Sequence, residues 1–210
     1  IMNRPWNGQT EDAYGPMVTK TLKADGTWKY DYEVFDRWVE WMMSLGIDSY
    51  INCYSMIPWE LEFDYYEEGC DTLRTMRAAP EEKAYSDYWT PFIKDFESHL
   101  KEKGWFQDTL ISLDERSPED LRNTVEFMQV VAPGMKIAMA GNRKPSEFKG
   151  IVVDSYSQSL GHVNPDFLAE VPQRQKEGKV TTYYICCGPA KPNTFMDSEL
   201  DESFWCGAYP

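Results

Sequence analysis

The chain has 210 residues, 42% of them hydrophobic and 15% aromatic, with 35 acidic side chains against 21 basic ones and a formal net charge of −14. That is enough apolar material for one substantial core. The negative field and the lack of a basic patch argue against nucleic acid as a partner and favour a neutral ligand such as a sugar, while no stretch approaches the roughly 20 apolar residues of a membrane span.

The amino-terminal IMNRPWNGQTED has neither the basic start nor the apolar centre of a signal peptide. It does not begin with Met, so the chain reads as a piece of a longer protein. The first predicted helix runs from about Glu33 to Leu45, with Val34, Phe35, Trp38, Trp41, Met42 and Leu45 at helical spacing and Gly46 as its stop. The strand DSYINCY (48–54) follows, and then a long connection in which the charge run Glu60 to Glu68 reads as a solvated loop. A second helix spans about Ala84 to Lys103, with Tyr85, Trp89, Phe92, Phe96 and Leu100 on one face, and Gly104 ends it.

Next come the strand DTLISL, a helix to about Val131, a stop at Pro133-Gly134 and the strand MKIAMA. GIVVDSYSQ reads as a further strand, and Asn164-Pro165 opens a helix that fades by Gly178, though Pro172 should bend or break it. KVTTYYICC is the last strand, and Asp197 or Ser198 caps a final helix carrying Leu200, Phe204 and Trp205. Five cysteines without a CxxC pair and only two histidines argue against a structural zinc site, and no metal site or cofactor is expected. Cys186 and Cys187, inside an apolar run, read as free buried thiols.

Strands alternating with helices, several of them nearly continuous apolar runs, predict parallel strands covered by helices. No strand-to-helix junction carries GxGxxG or a P-loop, which favours a (β/α)8 barrel over an open doubly wound sheet. A full barrel takes about 250 residues. The expected fold class is therefore α/β, a partial (β/α)8 TIM barrel with roughly five of its eight βα units, in which residues 1–210 form the central part of the barrel and hold no second domain.

Barrel chemistry sits at the C-terminal ends of the strands. There the sequence offers Asn52, Tyr54 and the more distant Trp59, then Asp114-Glu115, Asn142, Asp154 with Tyr156, and His162 in a loop. Carboxylates, amides and hydroxylated rings suit a sugar, which presents flat apolar faces and many hydroxyls. Tyr54 and Trp59 compete with plain packing, Asp154 fits a loop cap equally well, and Asn52 stands out because strand interiors disfavour Asn. His99 lies within a helix and reads as a structural side chain.

Neighbouring acids are common in so acidic a chain, but the TLISLDERSPEDL context singles out Asp114 and Glu115. Ser117 looks like the N-cap of the following helix, Pro118 its first residue and Asp120 its third, so the pair is not needed to start it. Adjacent side chains diverge, and they are badly placed to flank one glycosidic bond as the carboxylates of most glycosidases do. They suit a route in which a 2-acetamido group of the substrate is the nucleophile, with Glu115 as acid and then base and Asp114 holding the acetamido N–H and balancing the oxazolinium charge. Two other readings stand beside it. One is a conventional two-carboxylate glycosidase with Asp154 or an acid on an absent strand as nucleophile, and the other a non-catalytic carbohydrate-binding module.

The segments NRPWNGQTED, WVEWMMSLGID, INCYSMIPW, HLKEKGW, LDER and TTYYICCGPAKPNTF, in that order, resemble the catalytic module of glycoside hydrolase family 123, the DUF4091 family of bacterial β-N-acetylgalactosaminidases. The resemblance implies a (β/α)8 barrel and a retaining, substrate-assisted exo-hydrolase. Its partner would be a glycan or glycoconjugate with a terminal β-linked N-acetylhexosamine, specifically N-acetylgalactosamine. It also implies an extracellular or periplasmic location, and it puts the family's adjacent Asp-Glu pair on Asp114 and Glu115.

Overall fold

In the computed structural model of the protein, residues 14–148 and 150–185 are described. Cys186, Cys187 and Cys206, the loop CCGPAKPNTF, the helix expected after Asp197 and the NRPWNGQTED segment lie outside them. The chain forms two compact units, Ile1–Ala138 with Gly150–Val152, and Met139–Lys149 with Val153–Pro210.

The first unit opens with a hairpin that the sequence reading passed over. β1 (Thr19–Leu22) and β2 (Trp28–Asp31) pair antiparallel, Thr19 opposite Asp31 and Leu22 opposite Trp28. Their turn is closed by Asp25, whose carboxylate accepts the Thr27 N–H at 2.9 Å, and by Gly26 at φ +83. The run Glu60 to Glu68 is largely strand, not solvated loop. β4 (Glu62–Glu67) pairs antiparallel with β5 (Thr72–Arg77) and parallel with β1, giving the order β2-β1-β4-β5. The acids in β4 are tolerated because they find cross-strand partners, Glu67 with Arg74 at 2.8 Å and Asp64 with Thr75 at 2.6 Å, while Phe63, next to Asp64, is fully buried.

α1 spans Glu33–Ser44, with Gly46 just beyond it at φ +82, and α2 spans Lys83–Lys103 up to Gly104 at φ +76, both as the spacing predicts. α2 supplies the main core stripe, with Tyr85, Trp89, Phe92, Phe96 and Leu100 all buried. Rings of the small sheet meet it edge-on: Trp28 on Tyr88 at 5.6 Å, Tyr30 on Phe92 at 5.2 Å and Phe63 on Trp89 at 5.3 Å. On α1, Phe35 and Val39 are buried, whereas Val34, Trp38, Trp41 and Leu45 are exposed. His99 of α2 has the structural role expected, its Nε2 lying 2.7 Å from Asp36 Oδ1 and its ring stacking on Tyr32.

β3 is short, Ile51–Cys53, and runs parallel to β6 (Thr109–Leu113) with Asn52 opposite Leu110. Every residue of β6 is buried. α3 (Pro118–Val131) follows, turning Leu121, Thr124, Val125 and Met128 inward, and β7 (Lys136–Gly141) then carries the chain from one unit into the other.

In the second unit β8 (Ser155–Ser159) and β9 (Val180–Tyr184) are parallel and joined through α4 (Pro165–Lys176). Asn164 caps α4, accepting the Phe167 N–H at 3.0 Å. The helix ends at Lys176, close to the Gly178 expected, and Pro172 does not break it; Arg174 secures its last turn through bonds from Nη2 to Val180 O at 3.0 Å and from Nε to Thr181 Oγ1 at 2.9 Å. The two parallel pairs, β3 with β6 and β8 with β9, and the helices between strands make the chain α/β.

Candidate active site

The acid pair leaves the end of a fully buried strand. Beyond Leu113 the chain turns at once, the Asp114 carbonyl accepting the Arg116 N–H at 2.7 Å and Asp114 Oδ1 accepting the Glu115 N–H at 2.8 Å. Both acids are half-buried. Helix initiation is left to Ser117, whose Oγ accepts the Asp120 N–H at 3.0 Å with Pro118 in the first turn. The two carboxylates therefore have no capping duty, as the sequence suggests.

β3 supplies the neighbouring wall. Ile51 and Cys53 point into the core, where burial pushes the Cys53 thiol up to about 12 and leaves it inert as a nucleophile. The strand's period of two puts Asn52 and Tyr54 on the opposite face, and the register aligns that face with Leu110, Ser112 and Asp114. Asn52 Oδ1 accepts the Ser112 hydroxyl at 3.1 Å, the partner that a polar residue in a strand requires. Tyr54 is 41% exposed. Burial, reinforced by the negative charge of Asp114, raises its pKa, so the phenol remains a protonated donor.

Past Tyr54, whose peptide bond to Ser55 is cis, the loop is pinned by the fully buried Met56 and Ile57 and then brings Trp59 to the surface, 52% exposed. There the Arg116 guanidinium lies 5.1 Å from the centre of the Trp59 ring, and its Nη1 donates to the Trp59 carbonyl at 3.2 Å. Arg116 was not among the predicted site residues. Ser112 was also missed, since a serine inside an apolar strand carries no signal of its own until the partner strand brings an amide to it.

Asn52, Tyr54, Trp59, Asp114 and Glu115 thus all belong to the first unit. The remaining predicted residues belong to the second, where two are placed differently from the sequence reading. β8 begins only at Ser155, its first rung being the Val180 N–H to the Asp154 carbonyl at 2.8 Å, so Asp154 stands at the start of the strand instead of its end. Tyr156 is fully buried between Phe148 and Phe167, with its hydroxyl donating to the Arg143 carbonyl, and has no surface to offer a ligand. His162 does lie after the C-terminal end of β8 and is exposed, its carbonyl accepting from Gln158 Nε2 at 3.2 Å. Asn142 is exposed one residue beyond β7. Among the described residues there is no cluster of three or more metal-ligating side chains and no helix long and apolar enough to cross a membrane.

The profile of the glycoside hydrolase 123 catalytic domain matches residues 1–210. No curated protein matches the chain. Nine solved chains are similar. One of them, described in work on glycolipid glycan hydrolysis, is a family 123 glycoside hydrolase from Clostridium perfringens, with 31% identity and a TM-score of 0.82 over 91% of this chain and 35% of that one. This chain therefore spans about a third of that enzyme's length. With the profile matched from end to end, and two adjacent acids at the mouth of a buried parallel strand, the chain belongs to glycoside hydrolase family 123.

Proposed function

We propose that this chain carries the catalytic pair of a retaining exo-β-N-acetylgalactosaminidase that uses the substrate's own 2-acetamido group as nucleophile. The observation that carries the reading is the adjacency of Asp114 and Glu115 at the end of β6, with neither acid used as the helix cap. Consecutive side chains leave the backbone in different directions, so they do not straddle an anomeric carbon at the about 5 to 5.5 Å of a double displacement. They can divide the labour. Glu115 protonates the leaving oxygen as the acetamido oxygen attacks the anomeric carbon, and it later removes a proton from the water that opens the oxazolinium ring. Asp114 has one oxygen engaged by the Glu115 N–H and takes no hydrogen bond on the other from the described residues, which suits it to receive the acetamido N–H and balance the ring's positive charge.

The second wall fits the same substrate. Asn52 and the Tyr54 phenol offer hydrogen bonds on the face that Asp114 shares, and Trp59 offers a ring to the apolar side of the sugar. The reading extends to the whole catalytic module as a (β/α)8 barrel of which residues 1–210 are the central part. It also extends to glycolipid glycans, the material hydrolysed by the similar clostridial enzyme, met outside the cytoplasm.

The test is hydrolysis of aryl β-GalNAc and aryl β-GlcNAc by the intact protein, with Glu115→Gln and a GalNAc-thiazoline inhibitor in parallel. Preferential cleavage of β-GalNAc, lost in the variant and blocked by the thiazoline, is expected. Turnover that resists the thiazoline would sink the substrate-assisted route, and equal cleavage of the two sugars would sink the specificity.

A further inference from the structure

Arg116 follows the acid pair directly, and its backbone N–H is bound to the Asp114 carbonyl at 2.7 Å. Its side chain is only 10% exposed, an unusual depth for an arginine in a surface turn. One residue engages it twice. The guanidinium lies over the Trp59 ring at 5.1 Å while Nη1 donates to the carbonyl of the same Trp59 at 3.2 Å. One planar group thereby constrains both the backbone and the ring of a residue 57 positions earlier. On its far side Nη2 faces Asp120 of α3 at 3.6 Å, a long ion pair that fixes the direction of the fork more than it adds energy.

Two features set this apart from ordinary surface packing. The Trp59 ring stays 52% exposed despite the stack, so the contact covers part of the ring and leaves the rest to solvent. Moreover, Nε of Arg116 is buried with no hydrogen-bond partner among the described residues, so the guanidinium is held by the indole face and the Trp59 carbonyl without a bond at that nitrogen.

We propose that Arg116 is a positioning residue that holds the Trp59 ring as the stacking wall of the acid-pair site, with the sugar's apolar face taking the open part of the ring. The inference rests on the sugar reading above for its ligand, though the clamp itself is independent of that reading. Only a planar, forked cation can stack and reach the carbonyl together; lysine keeps the charge and loses the plane. Since stacking acts on the bound sugar before and during reaction alike, losing the clamp should appear in KM much more than in kcat.

The experiment compares the intact protein with Arg116→Lys, Trp59→Ala and the double variant, measuring aryl β-GalNAc hydrolysis together with fluorine NMR of protein labelled with 5-fluorotryptophan. The Trp59 signal is identified by its loss in Trp59→Ala. The expected result is a KM about ten-fold higher in Arg116→Lys with kcat within about two-fold, and a double variant no worse than Trp59→Ala alone, because the two residues act as one unit. The Trp59 resonance should shift and sharpen in Arg116→Lys while the other tryptophan resonances stay in place. An unmoved Trp59 resonance, an unchanged KM or additive losses in the double variant would overturn the proposal. A parent protein that cleaves no N-acetylhexosaminide defeats the functional reading instead, and the resonance then decides the clamp by itself.

Discussion

Asp114 Oδ1 accepts the backbone N–H of Glu115 at 2.8 Å, so the first acid of the pair is oriented by the second. Asp114→Asn preserves a carbonyl oxygen for that bond, while it removes the charge and replaces the other oxygen, the acceptor for the acetamido N–H, by an NH2 group. If Asp114 balances the oxazolinium ring, kcat should fall at least about 100-fold, the scale of a single electrostatic stabiliser, with an unchanged unfolding midpoint. Steady-state kinetics beside a urea melt separates the two effects, and near-normal turnover would remove Asp114 from the mechanism.

Ser117 and the acids have separate tasks although only one residue lies between Glu115 and Ser117. Replacing Ser117 by Ala deletes the acceptor for the Asp120 N–H at 3.0 Å and should cost about 1 kcal/mol of stability. kcat should stay within about two-fold, since the turn holding Asp114 is closed by its own carbonyl and carboxylate. A loss of activity as large as that of Asp114→Asn would mean that the cap and the site are one device.

What was legible in the sequence was local. Ser117 and Pro118 follow an apolar strand within a few residues, and capping is decided by immediate neighbours, so the end of β6 and the start of α3 were readable. α1 and α2 declared themselves by periodicity and by glycines that adopt positive φ at their ends. The β4-β5 hairpin was not legible because its acids read as a solvated run, and what makes it a strand is distant: Arg74 and Thr75 across the hairpin and the rings of α2 beneath it. The same holds for Asp154. The apolar GIVV suggests a strand already begun, but pairing starts where β9 offers the Val180 N–H, and that shifts Asp154 to the other end. Arg116 was invisible for a like reason, since its burial depends on Trp59. The β1-β2 hairpin is a different case, because Asp25-Gly26 between TKTL and WKYD was a turn signal available in the sequence.

Gly141 owes its place to a close approach. A Cβ there would sit inside contact distance of the Tyr156 hydroxyl and 2.9 Å from its Cζ, in the packed interior of the second unit. Gly141→Ala should therefore destabilise the protein by about 1 to 3 kcal/mol, the usual cost of overpacking. Adding Tyr156→Phe removes the nearest atom and should recover part of the loss, although Tyr156→Phe alone forfeits the bond to the Arg143 carbonyl. Urea midpoints of the four proteins form a complete cycle, and strict additivity between the two changes would show that the crowding is relieved elsewhere.

Lys20 gives the core a pH dependence of its own. Its ammonium is buried on β1 against the faces of Phe92 at 4.8 Å and Trp89 at 5.4 Å. Burial lowers its pKa from 10.5 to about 7, partly opposed by attraction to Asp64. In the unfolded chain the amine keeps its ordinary value, so between about pH 7 and 10.5 the unfolded state holds a proton that the folded state has released. Stability from this group accordingly rises with pH through that window, and below about pH 7 the penalty for burying the charge is fully present. The slope approaches about 1.4 kcal/mol per pH unit. Lys20→Met fills similar space without a charge, so its advantage over the parent should be greatest at pH 6 and shrink by roughly 2 kcal/mol between pH 7 and 9. Urea unfolding of both proteins across that range makes the comparison, in which every other titrating group cancels, and a difference that stays constant with pH would mean that Lys20 keeps its proton throughout.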